Sequence, residues 1–131
     1  MSNSQEDNLL AVVLLVEDDI TLLRLYEAKF SLEGYKLLTA RDGATGLKIA
    51  LEEPIDIILM DVGLPDQSGL EVLKKLRKEN RCRTIPVIML TNNASQEERE
   101  HALKLDAKEY LIKAMHTPES VVEMARKYIR T

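Results

Sequence analysis

The run Leu9-Leu-Ala-Val-Val-Leu-Leu-Val16, followed at once by Glu17-Asp18-Asp19, decides how the rest of the chain is read. Eight apolar residues without polar alternation, rich in valine, are too few for an ordinary buried helix and match a strand covered on both faces. Such strands belong to parallel sheets, whose crossover helices lie on either side. Three similar runs come later in the chain: Ile55-Asp-Ile-Ile-Leu-Met60, Ile85-Pro-Val-Ile-Met-Leu90 and Tyr110-Leu-Ile112. A weaker one, Tyr35-Lys-Leu-Leu-Thr39, reads as an edge strand. Pro86 stands at a strand start, where its missing N–H is tolerated.

Between these runs the apolar period changes to 3.6. Leu22, Leu25, Tyr26 and Phe30 trace one helix face, closed by Gly34. Leu23 beside them either widens that stripe or belongs to a partner surface. Ala44, Leu47 and Ile49-Ala-Leu51 trace a second helix, ended by Pro54. Leu70, Val72-Leu73 and Leu76 trace a third, which runs into the basic segment from Lys74 to Arg83. Ser95-Gln-Glu-Glu98 is a capping box, so a fourth helix starts there. Thr117-Pro-Glu119 supplies an N-cap, a first-position proline and a first-turn acid. The fifth helix then carries Val121, Val122, Ala125, Tyr128 and Ile129 to about Thr131. Five strands and five helices in strict alternation predict an α/β fold with right-handed crossovers and helices on both faces of a parallel sheet.

The chain has 131 residues, enough for one domain with a self-sufficient core. We expect a polar tail over 1–8 and one domain over 9–131, with no room for a second, output domain. Lys plus Arg is 18 and Asp plus Glu is 22, a net charge of −4. That acidic excess argues against direct nucleic-acid binding and against an anionic membrane surface. The one cysteine, Cys82, excludes an internal disulfide and fits a reducing, cytoplasmic setting; it stands in a charged connection and reads as incidental. The start of the chain has no basic, apolar signal-peptide pattern, and no apolar run is long enough to span a membrane. His101 and His116 are isolated and lack metal-ligand spacing.

The residues at the strand ends carry the chemistry. The first run ends in Glu17-Asp18-Asp19, the third in Asp61, the fourth in Thr91-Asn92 and the fifth in Lys113. In a parallel sheet these positions share one edge, where ligands bind in doubly wound folds. Alone, the acidic triplet is an ordinary helix start and Asp61 with Gly63 and Pro65 an ordinary turn. Together they bring carboxylates, a hydroxyl and an ammonium to one crevice. Oxygen-only, acid-rich surroundings suit a hard divalent cation, Mg²⁺ or Mn²⁺, and disfavour zinc or copper.

The stretches Val16-Glu-Asp-Asp19, Asp61-Val-Gly-Leu-Pro-Asp66 with Gly69, Leu90-Thr91 and Tyr110-Leu-Ile-Lys113 resemble the receiver domain of two-component response regulators, single-domain chemotaxis regulators included, over nearly the whole chain. The resemblance implies a flavodoxin-like sheet of order 2-1-3-4-5. It implies that Asp61 accepts a phosphoryl group from a sensor histidine kinase or phosphotransfer protein. Asp18 corresponds to the direct Mg²⁺ ligand, Glu17 acts through bound water, and Asp61 and the backbone carbonyl of Gly63 complete the set. Of the three acids in a row, the distance to Gly34 favours Glu17 and Asp18 as the pair and leaves Asp19 to the helix N-terminus. Lys113 and Thr91 correspond to the groups that hold phosphoryl oxygens. Thr91 and Tyr110 correspond to a switch in which Thr91 moves toward the phosphate and Tyr110 swings inward behind it. That motion reshapes the face of the fourth helix, fifth strand and fifth helix for a downstream protein. Such a domain is not an enzyme beyond its own Mg²⁺-dependent phosphorylation and slow dephosphorylation.

Two positions depart from that pattern. Ala114 follows Lys113 where the family generally has proline in a cis bond, so this peptide is either trans or held under strain. Asn92 is larger than the small residue usual after the threonine and is placed to narrow access to the acceptor. The alternatives are an aspartyl-phosphate phosphohydrolase and a flavodoxin-like FMN carrier. The first lacks a second acid two residues past Asp61, where Gly63 stands. The second lacks a hydroxyl-rich phosphate loop after the first strand and has few aromatic residues.

Overall fold

The computed structural model describes residues 11–93 and 95–129. Five strands alternate with five helices: β1 (Val12–Val16), α1 (Ile20–Leu32), β2 (Lys36–Ala40), α2 (Gly43–Glu52), β3 (Ile57–Asp61), α3 (Gly69–Arg77), β4 (Val87–Thr91), α4 (Gln96–Lys104), β5 (Glu109–Ile112) and α5 (Pro118–Arg126). Single 3₁₀ turns stand at Asn80–Cys82 and Lys113–Met115. All strand pairs are parallel and the order is β2-β1-β3-β4-β5, the doubly wound sheet expected from the alternation.

Side chains of the inner strands divide between two cores because successive residues point to opposite faces. Val13, Leu15, Ile57, Leu59, Ile88 and Leu90 pack with Leu23, Tyr26 and Phe30 of α1 and Val121, Val122 and Ala125 of α5. Leu14, Val16, Ile58, Met60, Val87 and Met89 pack on the other face with Ala50 of α2, Leu73 and Leu76 of α3 and Ala102 of α4. Burial on both faces is why β3 and β4 read as uninterrupted apolar runs.

Helix ends follow their local chemistry. Asp19 caps α1 by accepting from the amides of Thr21 and Leu22. Gly34 follows that helix at φ +86°, a conformation that favours glycine. Ser68, Ser95 and Thr117 cap α3, α4 and α5.

Several sequence expectations shift. β1 begins at Val12, where the apolar run begins at Leu9; residues 9 and 10 and the tail over 1–8 lie outside the described residues. The buried stripe of α1 is Leu23, Tyr26 and Phe30, at spacings of three and four. Leu25 is 47% exposed, so Leu23 and not Leu25 faces the core. On α2 the expected Leu47, Ile49, Ala50 and Leu51 pack on the core, but Gly43 and Gly46 are buried with Ala50 while Ala44 is exposed. The fifth helix ends at Arg126, and Tyr128 and Ile129 pack from the segment beyond it; Arg130 and Thr131 lie outside the described residues. Cys82 is fully buried in the α2–α4 core with its thiol near the carbonyl of Ala50, so it is a packing residue. Among the described residues no helix is long and apolar enough to cross a membrane.

Candidate functional site

The register aligns the strand ends. Val16 pairs with both Ala40 and Met60, Asp61 with Leu90, and Thr91 with Ile112. Glu17, Asp61, Thr91 and Lys113 therefore leave the sheet at one edge. The loops beyond it are short, and the turn after β3 returns tightly: Gly69 donates its amide to Val62 and Leu64 to the same carbonyl.

At the centre, the Lys113 ammonium bridges two carboxylates. Its Nζ lies 2.9 Å from Glu17 Oε1 and 3.0 Å from Asp61 Oδ2. Both acids are buried, Glu17 at 1% and Asp61 at 3% exposure. The second Asp61 oxygen accepts from the amide of Gly63 at 3.1 Å, and the second Glu17 oxygen from the amide of Asp19 at 3.0 Å. One oxygen remains short of partners: Glu17 Oε1 touches Lys113 as an ion pair but has no partner in hydrogen-bond geometry. Burial holds the Glu17 carboxyl above the usual carboxylate range, against the lowering effects of the Asp19 amide and Lys113. Burial also acts to lower the Lys113 ammonium, but the two carboxylates outweigh it and its pKa is raised. Two buried acids share one cation, so the crevice is short of positive charge.

The other expected residues take different places. Asp18 stays on the exposed rim, its carboxylate 4.0 Å from Arg41. Among the described residues no three acid, imidazole or thiol groups converge closely enough to hold a metal ion. Gly63 is exposed, with nothing within 4 Å of where a Cβ would stand. Thr91 is 5% exposed, and its hydroxyl is engaged by the loop: it donates to the Asn93 carbonyl at 3.0 Å and accepts from the Asn93 amide at 3.3 Å. Tyr110 is already buried, at 7% exposure, in place of the expected outward position from which it would swing. Its hydroxyl donates to Glu98 Oε1 at 3.1 Å. Burial, then the Glu98 carboxylate, raises the Tyr110 phenol above its usual range. The described residues contain no cis peptide, so the Lys113–Ala114 bond is trans. His101 is exposed, and the His116 ring lies within 3.5 Å of the Ser120 hydroxyl.

Three residues escape a reading of the sequence, two beside the site and one, Arg77, at the opposite edge of the sheet. Asp66 accepts from the amides of Gly43 and Ala44, capping α2 alongside Asp42 and tying the β3–α3 loop to that helix. These bonds, the one from Gly43 first, hold its carboxyl down at about 2. Arg77 donates to the carbonyls of Leu105, Cys82, Arg83, Ile85 and Asp106. Glu98, expected only to complete a capping box, instead receives Tyr110. The sequence carries a signal for Asp66, an acid in a Pro-Asp turn, but none for the distant carbonyls that Arg77 gathers.

Known proteins share this arrangement of strands. The chain is 37% identical over 112 residues to the transcriptional regulatory protein CpxR of Escherichia coli (strain K12), covering 86% of this chain and 47% of that one. The chain thus spans about half the length of such relatives. It is 33% identical to the polar-differentiation response regulator DivK of Brucella anthropi, covering 89% of this chain and 94% of DivK. The receiver domain of the sensor histidine kinase PA1611 from Pseudomonas aeruginosa PAO1 superimposes with a TM-score of 0.80 at 30% identity, over 90% of this chain and 96% of that one. That structure holds a magnesium ion in its active-site cleft. The sequence profile of the response regulator receiver domain matches residues 13–126, and the chain belongs to that family.

Proposed function

We propose that this receiver domain accepts a phosphoryl group on Asp61 from a histidine kinase or phosphotransfer protein, in a reaction that requires Mg²⁺ or Mn²⁺, and passes the signal to a downstream protein. One observation carries the reading: a buried carboxylate at the end of the central strand has an ammonium 3.0 Å from one oxygen and a backbone amide 3.1 Å from the other. A carboxylate so held is fixed in orientation, as in-line attack on phosphorus requires. An Asp61 oxygen forms the new O–P bond as the P–N bond of the donor's phosphohistidine breaks, and the imidazole leaves with the bonding pair. Positioning and charge compensation dominate such transfers.

Lys113 is placed to neutralise one phosphoryl oxygen. Thr91 can donate to another once its hydroxyl leaves the Asn93 carbonyl. The donor set also fits a hard divalent cation. It offers only oxygens, and Glu17 Oε1 is buried without a hydrogen-bond partner. Asp61, the Gly63 carbonyl and Asp18, once it turns in from the rim, would hold the cation directly, with Glu17 acting through bound water, in keeping with one or two carboxylates plus waters for Mg²⁺. When bound, the cation supplies the positive charge that two acids sharing one lysine lack. Gly63, with no acid side chain, gives the phosphohydrolase alternative no support.

The face of α4, β5 and α5 is the proposed site for the downstream protein, since Tyr110 links β5 to α4 directly. The test is incubation with acetyl phosphate and Mg²⁺, read by intact mass. The protein should gain one phosphoryl group and Asp61→Asn should gain none. An Asp61→Asn variant that loads equally well would overturn the assignment.

A further inference from the structure

Glu98 stands in the first turn of α4. Its amide is held by Ser95 Oγ at 3.2 Å, and its carboxylate receives the Tyr110 hydroxyl at 3.1 Å. The same residue lines a cavity of about 380 Å³ together with Val62 and Gly63, which directly follow Asp61, and with Thr91 and Asn93. Glu98 is the one charged residue in that lining. It forms no ion pair among the described residues. Lys113, the cation at the acceptor, is already shared by Glu17 and Asp61.

We propose that Glu98 is a positioning residue whose negative charge couples the acceptor to α4: it holds Tyr110 while Asp61 is bare, and a phosphoryl group on Asp61 expels it. This rests on the acceptor role of Asp61 proposed above. A phosphoryl group adds about −1.5 to −2 charge. It would stand beside that cavity, next to Val62 and Gly63 in its lining, and repulsion between it and the Glu98 carboxylate at partly buried sites is weakly screened. Withdrawal of Glu98 cuts the Tyr110 tie and frees the first turn of α4. Thr91, on leaving the Asn93 carbonyl, loosens the same loop from its other end. The coupling is reciprocal, so Glu98 in place also opposes loading of Asp61.

Glu98→Gln separates charge from hydrogen bonding, because the amide oxygen still accepts from Tyr110. The full chain is loaded with acetyl phosphate and Mg²⁺, loading is read by intact mass, and the amides of α4 and Tyr110 are followed by NMR. Wild type should shift those amides on loading. Glu98→Gln should load at least as far, with the phosphorylation-linked shift reduced to less than half. Tyr110→Phe should displace the α4 amides before any loading. Glu98→Gln showing the full wild-type shift overturns the proposal while leaving the acceptor role intact. Failure of wild type to gain a phosphoryl group overturns both.

Discussion

A Cβ on residue 69 would stand 2.1 Å from the backbone oxygen of Asp61, so α3 can begin against the end of β3 only because Gly69 has no side chain. The contact sets where the β3–α3 loop turns and hence where the Asp61 carboxylate points. Elsewhere in a helix, glycine to alanine is stabilising. Here the clash is with main chain, which cannot rotate away. Gly69→Ala should lower stability by about 1–3 kcal/mol, read as a lower denaturant midpoint with an unchanged m-value.

Removal of the Lys113 ammonium leaves Glu17 and Asp61 facing each other inside the crevice. Lys113→Met should cost about 3 kcal/mol at neutral pH. The loss should shrink as acid protonates one of the pair, and Mg²⁺ should raise the melting temperature of this variant more than that of wild type. Thermal unfolding with and without Mg²⁺ checks both; an equal response to the cation in the two proteins would count against a cation site at these acids.

Asp66 gives a pH signature of definite sign. Its folded-state pKa is depressed to about 2 by the Gly43 amide first and the Ala44 amide with it, from the ordinary value of 3.8. The stability it contributes is complete above the unfolded value and is lost as pH falls through about 2. Asp66→Asn should therefore flatten the acid limb of the stability curve between those limits, while changing the neutral-pH melting temperature in the direction of a weaker α2 cap. A melting-temperature series against pH measures it.

Arg77 joins the end of α3 to the connection before β4 and to the α4–β5 turn through five carbonyls. Lysine keeps the charge but cannot reproduce the planar fork. Arg77→Lys should lose about 2 kcal/mol, with hydrogen exchange rising first around Leu105 and Asp106.

The α/β alternation, the parallel sheet and the presence of acids, Thr91 and Lys113 at strand ends are legible in the chain because each is a local pattern. An apolar run without alternation reports burial on both faces wherever it occurs. A polar residue closing such a run must emerge at the sheet edge. Helix starts at Asp19, Ser95 and Thr117 are legible for the same reason, since a cap bonds to amides two or three residues away.

Tertiary structure alone decides what each strand-end residue touches. That Lys113 joins Glu17 to Asp61 while Asp18 stays with Arg41 depends on three strands meeting in one register, which no local pattern encodes. The same holds for Leu23 facing the core in place of Leu25: both lie near the apolar stripe, and the angle at which α1 docks chooses between them. Glu98 shows the distinction within one residue. Its place in the first turn of α4 follows from Ser95 three residues earlier. Its bond to Tyr110 exists because β5 folds back beside α4 and buries a phenol whose hydroxyl needs an acceptor.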